Sequence, residues 1–138
     1  MRGCTPLLLA ALTARPGHAQ AADPPPLPAA VTFVTSGGHW QDGSHHGHYR
    51  LIVLRADAGS AAPRLLIEWM EEDGARVFVR ESRGAAVLGD PWTIEEPEFM
   101  PGGRRTTVSV FGADPSGRHG HWTLTLGPPG QFAVSPLR

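Results

Sequence analysis

Arg64-Leu65-Leu66-Ile67-Glu68-Trp69-Met70-Glu71-Glu72-Asp73-Gly74-Ala75-Arg76-Val77-Phe78-Val79-Arg80-Glu81-Ser82 is the stretch that decides the fold class. Leu65, Ile67 and Trp69 alternate with Leu66, Glu68 and Met70, the period of an extended chain with two unlike faces. Arg76 to Ser82 returns in the same manner. Asp73-Gly74 sits between the two runs, and both residues tolerate positive φ. The spacing predicts an antiparallel hairpin closed by a type I′ turn.

Outward from this hairpin the chain repeats the theme. Toward the N-terminus, 31–36 and 48–55 read as strands separated by Gly37-Gly38 and Asp42-Gly43-Ser44. The second is apolar on both faces (Leu51, Ile52, Val53, Leu54), which suits a central position. Toward the C-terminus, 84–88 and 92–96 are short candidates. Pro91 and Pro97 bracket the latter and place it at an edge. Strands are expected at 105–111, 119–126 and 131–135, parted by Pro101-Gly102-Gly103, Asp114-Pro115-Ser116-Gly117 and Gly127-Pro128-Pro129-Gly130. No segment carries a 3.6-residue apolar period. Seven to nine short strands with turns every eight to twelve residues predict an all-β domain, a small antiparallel β-sandwich or barrel.

Residues 1–21 read as a signal peptide. Arg2 opens it, Leu7 to Leu12 form an apolar run, and Ala19-Gln20-Ala21 is a small-x-small cleavage site; the polar stretch Arg15-Pro16-Gly17-His18 is atypical. Residues 22–29 form a Pro-rich spacer, and 30–138 a single β-sandwich domain. The expected location is periplasmic or secreted, in a bacterial cell envelope. The apolar run is far below the ~20 residues that span a bilayer, so no stable membrane anchor is expected. Cys4 is the sole cysteine and would leave with the leader. The mature chain then has no disulfide, no thiolate nucleophile and no cysteine-based zinc site.

The chain contains no lysine and no asparagine, and all 12 cationic side chains are arginine. That bias follows GC-rich coding and does not mark a phosphate-binding set. Net charge is −1, no basic patch stands out, and nucleic acid is not an expected partner. The seven histidines escape this bias and carry more information.

Four of those histidines fall in two similar segments. His46-Gly47-His48-Tyr49-Arg50-Leu51 resembles His119-Gly120-His121-Trp122-Thr123-Leu124, and His45 precedes the first. On a strand both imidazoles of each pair share one face, and the aromatic and leucine share the other. Neutral imidazole nitrogens are donors to zinc, copper or nickel. His39 leaves the first strand where His46 and His48 enter the second, so these three are expected at one end as an open metal site. His45, His119 and His121 are further candidate ligands. Trp40 is the expected exposed ligand-contact residue, whereas Trp69 and Trp122 share faces with leucines and belong to the core.

Nucleophile-elbow, P-loop, dinucleotide and His-Glu-x-x-His motifs are absent. Glu71-Glu72-Asp73 and Glu95-Glu96 read as solvated turns. The function expected is that of a non-enzymatic exported binding module of the cell envelope, partnered by a divalent transition metal or an envelope protein. A structural or protein-interaction module with incidental histidines, and a small metal-dependent hydrolase, are the alternatives.

Overall fold

The computed structural model describes residues 30–55, 59 and 61–137; the signal-peptide and spacer readings lie outside the described residues. Nine strands follow one another: β1 Val31–Asp42, β2 His45–Leu54, β3 Leu65–Asp73, β4 Arg76–Gly84, β5 Thr93–Ile94, β6 Glu98–Met100, β7 Thr106–Ala113, β8 His119–Leu126 and β9 Phe132–Pro136. The first four make an antiparallel meander in sequence order. The second sheet runs β5-β7-β8-β9, with β6 also pairing β7. All pairings are antiparallel. Two separate sheets make this a β-sandwich of the expected class. Among the described residues no helix is long and apolar enough to cross a membrane.

The decisive hairpin forms, with a different turn. Asp73 pairs Arg76, so the loop is Gly74-Ala75 and not Asp73-Gly74. Gly74 takes φ 58° while no other residue type adopts positive φ among the described residues, the pattern of a type II′ turn. The β1–β2 hairpin repeats the device. Asp42 pairs His45 across Gly43-Ser44, and Gly43 has φ 60°.

Gly37-Gly38 is not the loop its composition predicts. β1 continues through it to Asp42, and the register slips by one residue between Gly37 and Trp40. This bulge exists because the second sheet closes onto β1 there. A Cβ on Gly37 would sit 2.7 Å from the Phe99 ring, and one on Gly38 would sit 2.4 Å from Thr106 Cγ2. The slip turns Trp40 inward. The segment at 84–88 is also not a strand: Ala86–Leu88 form a 3-10 turn. Two short strands, β5 and β6, stand where one was expected, and β5 pairs only with β7, at an edge.

The core follows the alternation. Tyr49, Leu51 and Val53 of β2 meet Leu65, Ile67 and Trp69 of β3. Opposite them stand Val108 and Val110 of β7 with Trp122, Leu124 and Leu126 of β8, all buried. Each such side chain contributes roughly 1.5–3 kcal/mol on burial, which suffices in a domain without a disulfide.

Gly38 and Gly43 separate two costs. Both have φ near 60°, but space around Gly43 is open while Gly38 faces Thr106. Gly43→Ala is expected to lose about 1–2 kcal/mol through backbone strain alone, and Gly38→Ala about 1–3 kcal/mol more through overpacking. Denaturant unfolding of both variants measures the difference. Equal losses would mean that the sheets do not press on β1.

Candidate functional site

Two neighbouring features occupy the β1–β2 hairpin end: a set of imidazoles and carboxylates on the first sheet, and a cleft beside β1. Inward residues of β2 are Gly47, Tyr49, Leu51 and Val53, so His46 and His48 face outward. Glu72 of β3 stands among them. His48 Nδ1 lies 2.7 Å from Glu72 Oε1. An ionised carboxylate only accepts, so the imidazole donates from Nδ1. Hydrogen bonding by His48, with the nearby charges of His48, His46 and His39, holds the Glu72 carboxyl below its usual range. The three expected histidines thus share one carboxylate's neighbourhood.

Among the described residues, no group of three or more histidines, cysteines or carboxylates is arranged to hold a metal ion. The reason is local. Pairing sets Gln41 opposite His46, and His39 falls inside the bulge with no register partner. A carboxylate on Nδ1 is the arrangement that supports a metal-bound imidazole, but converging donors are missing. His45, the fourth candidate, belongs to a different contact. Its Nδ1 donates to Glu71 Oε1 at 2.6 Å, and Arg80 Nη1 donates to Glu71 Oε2 at 2.5 Å. Arg80 is the extra residue of a bulge, since Trp69 pairs Glu81 while Met70 pairs Val79. Glu71 is buried, and the hydrogen bonds from Arg80 and then His45 depress its pKa.

His119 and His121 cannot join the first group. On β8, Trp122, Leu124 and Leu126 point inward, so the histidines face outward, as they do on β2. The shared pattern therefore puts the two pairs on opposite outer faces of the sandwich. His121 stacks on Phe111 with ring centroids 4.0 Å apart, and its Nε2 lies 2.7 Å from Ser109 Oγ.

Trp40 is core rather than an exposed contact. It is 4% exposed, and its indole N–H donates to His48 O at 3.1 Å. Trp40 nevertheless lines an open cleft of about 730 Å³. β1 forms one wall with His39, Trp40 and Gln41. β6, β7 and the connection between them contribute Phe99, Thr106 and the pair Arg104 and Arg105. Tyr49 and the β8–β9 connection, with Gly127, Gln131 and Phe132, close the remainder.

Two features of the lining matter chemically. Four aromatic rings face it, and its lining includes no carboxylate among the described residues. Arg104 and Arg105 are exposed, and neither has an ion-pair partner among the described residues. Tyr49 donates to Gly127 O at 3.0 Å, and burial pushes its phenol up, against a smaller opposing effect of the Thr106 hydroxyl. Arg104, Arg105, Phe99 and Phe132 were not among the residues expected from sequence. The one available signal was a charged pair directly after Gly102-Gly103.

The depressed carboxyls give a pH dependence with a definite sign. Glu71 and Glu72 titrate below the ordinary 4.5 when folded. Their stabilisation is complete above that value and is withdrawn as acid protonates them below it. The melting temperature is expected to fall between about pH 5 and pH 3. A Glu71→Gln/Glu72→Gln double variant starts lower at neutral pH and falls less over that interval. Parallel slopes in circular-dichroism melts would show that these two carboxyls carry none of the effect.

The chain matches no protein-family model, no curated protein and no solved structure.

Proposed function

We propose that this chain is an exported binding module, not an enzyme, that takes a small organic anion with an apolar body into the cleft beside β1. Its expected setting is the periplasm or the cell exterior, following the reading of residues 1–21. One observation carries the ligand class: four aromatic walls and two arginines without carboxylate partners converge on a concavity that contains no carboxylate. Aromatic faces accept the apolar body and exclude water. The paired guanidinium groups select a carboxylate, sulfonate or phosphate by charge-assisted, bidentate hydrogen bonds. His39, Gln41, Thr106 and Gln131 provide further polar contacts around the rim.

The non-enzymatic reading rests on where reactive groups lie. Ser109 and His121 form a serine–imidazole contact, but on the outer face of the second sheet and away from the cleft. There β7 is laddered on both sides, to β6 and β8. Its backbone N–H groups are thereby committed, and no donors remain for an oxyanion. A metal-dependent hydrolase would need converging ligands, which the hairpin end lacks among the described residues.

The anionic dye 1-anilinonaphthalene-8-sulfonate is the probe for this proposal, used with protein whose near-ultraviolet circular dichroism is native. The dye is expected to bind saturably at one site. An Arg104→Ala/Arg105→Ala variant is expected to bind it about 5- to 30-fold more weakly, as two exposed ion pairs of about 0.5–1 kcal/mol each require. Rising salt should weaken the wild type and leave the variant almost unchanged. The cationic dye thioflavin T should not compete. Equal binding of the anionic dye by wild type and variant, or equal affinity for both dyes, overturns the anion reading.

A further inference from the structure

The two edges of the first sheet are treated differently. β1 is covered, since Gly37 and Gly38 lie under Phe99 and Thr106. β4 pairs β3 on one side, and among the described residues no strand pairs its other side. Eight of its nine residues are exposed. Val77, Phe78 and Val79 are 55%, 45% and 43% exposed, although Phe78 has the parity of buried Glu71, its register partner. This end of β4 therefore overhangs the second sheet and is bare on its edge and on both faces. An unpaired apolar edge of this kind is a template for another strand.

We propose that this edge pairs with β4 of a second copy of the chain, antiparallel and two-fold symmetric about Phe78. Three observations favour a second copy over an unrelated strand. First, in a two-residue hairpin the closing pair, here Asp73 and Arg76, exchanges both main-chain bonds. Alternation then turns Arg76 and Phe78 toward β3 and leaves the N–H and C=O groups of Val77 and Val79 toward the edge. A two-fold through Phe78 sets Val77 opposite Val79 of the second copy, so these groups meet in register. Second, the same axis opposes Val77 to Val79 on one face and Phe78 to its own counterpart on the other, covering the three bare apolar residues. Third, the ends carry opposite charges. With Arg80 the extra residue of its bulge and held by its own Glu71, Glu81 takes the place next to Arg76 of the other copy, where that arginine would share it with Arg83, its present partner at 3.0 Å. The bulge at Arg80 ends the flat segment, which keeps the pairing short and reversible and stops it from propagating along the strand.

Sedimentation of the full chain, carried to about 1 mM to register weak pairing, is expected to show a reversible monomer–dimer equilibrium. Val77→Arg is expected to abolish it without loss of fold, since that side chain is already solvent-exposed. Arg76→Glu alone weakens it, and Arg76→Glu with Glu81→Arg restores it. Register is tested by oxidation in a Cys4→Ser background. Phe78→Cys is expected to cross-link to its own copy, because opposed residues of a non-hydrogen-bonded pair stand about 4.5 Å apart at Cα, within disulfide range. Ser82→Cys is not. A wild type monomeric throughout the series, a dimer indifferent to Val77→Arg, or equal cross-linking at the two positions overturns the proposal.

Discussion

The Gly127 carbonyl ties the molecule together. It accepts from the Trp69 indole at 2.8 Å and from the Tyr49 hydroxyl at 3.0 Å. Both donors are almost fully buried, and their rings meet edge to face at 6.2 Å. Buried aromatics of this size supply much of a core's apolar area, but each of these carries a polar atom that must find a partner. One acceptor on the far sheet satisfies both. The contact joins two central strands of one sheet to the turn after β8, and Gly127 N in turn donates to Gln131 O at 3.0 Å. Core packing and cleft geometry thereby share a single anchor, because the same turn walls the cleft.

Alternation was the most legible property of the chain. β8 spans the residues that its pattern delimits, and the central place of β2 follows from its apolar residues on both faces. Where the reading failed, the cause was a contact remote in sequence. Gly37-Gly38 has the composition of a turn, yet the glycines are there because Phe99 and Thr106 approach the backbone. Nothing within β1 announces that approach. With the strand ended at Ser36 by that composition, Trp40 falls in a loop, which is why it was expected in solvent. The short run at 84–88 shows the other weakness. Five residues of mixed character do not distinguish a strand from a 3-10 turn.

The histidines illustrate how far a local pattern reaches. Their placement on one face of each strand was readable, and so was the inward set of aromatics and leucines. With β2 and β8 in different sheets, those two facts together send their imidazoles to opposite exteriors, so it is the strand order that separates the two pairs. The neighbourhood of Glu72 was less accessible, because it depends on the register between β2 and β3. Arg104 and Arg105 were set aside with the other arginines as a product of coding bias. Bias explains why they are arginine and not lysine; it does not explain their position on a cleft without carboxylates.

The covered edge at β1 and the bare edge at β4 lie on opposite flanks of one four-stranded sheet. The cleft belongs to the β1 flank. Joining two molecules through β4 would give a continuous eight-stranded ribbon with a cleft at each extremity, about 34 Å apart at the usual strand spacing. Such a particle is bivalent. Against a lone ligand it gains nothing, but against one repeated along a polymer or a surface at a matching interval, the second engagement becomes intramolecular and avidity rises without any new contact.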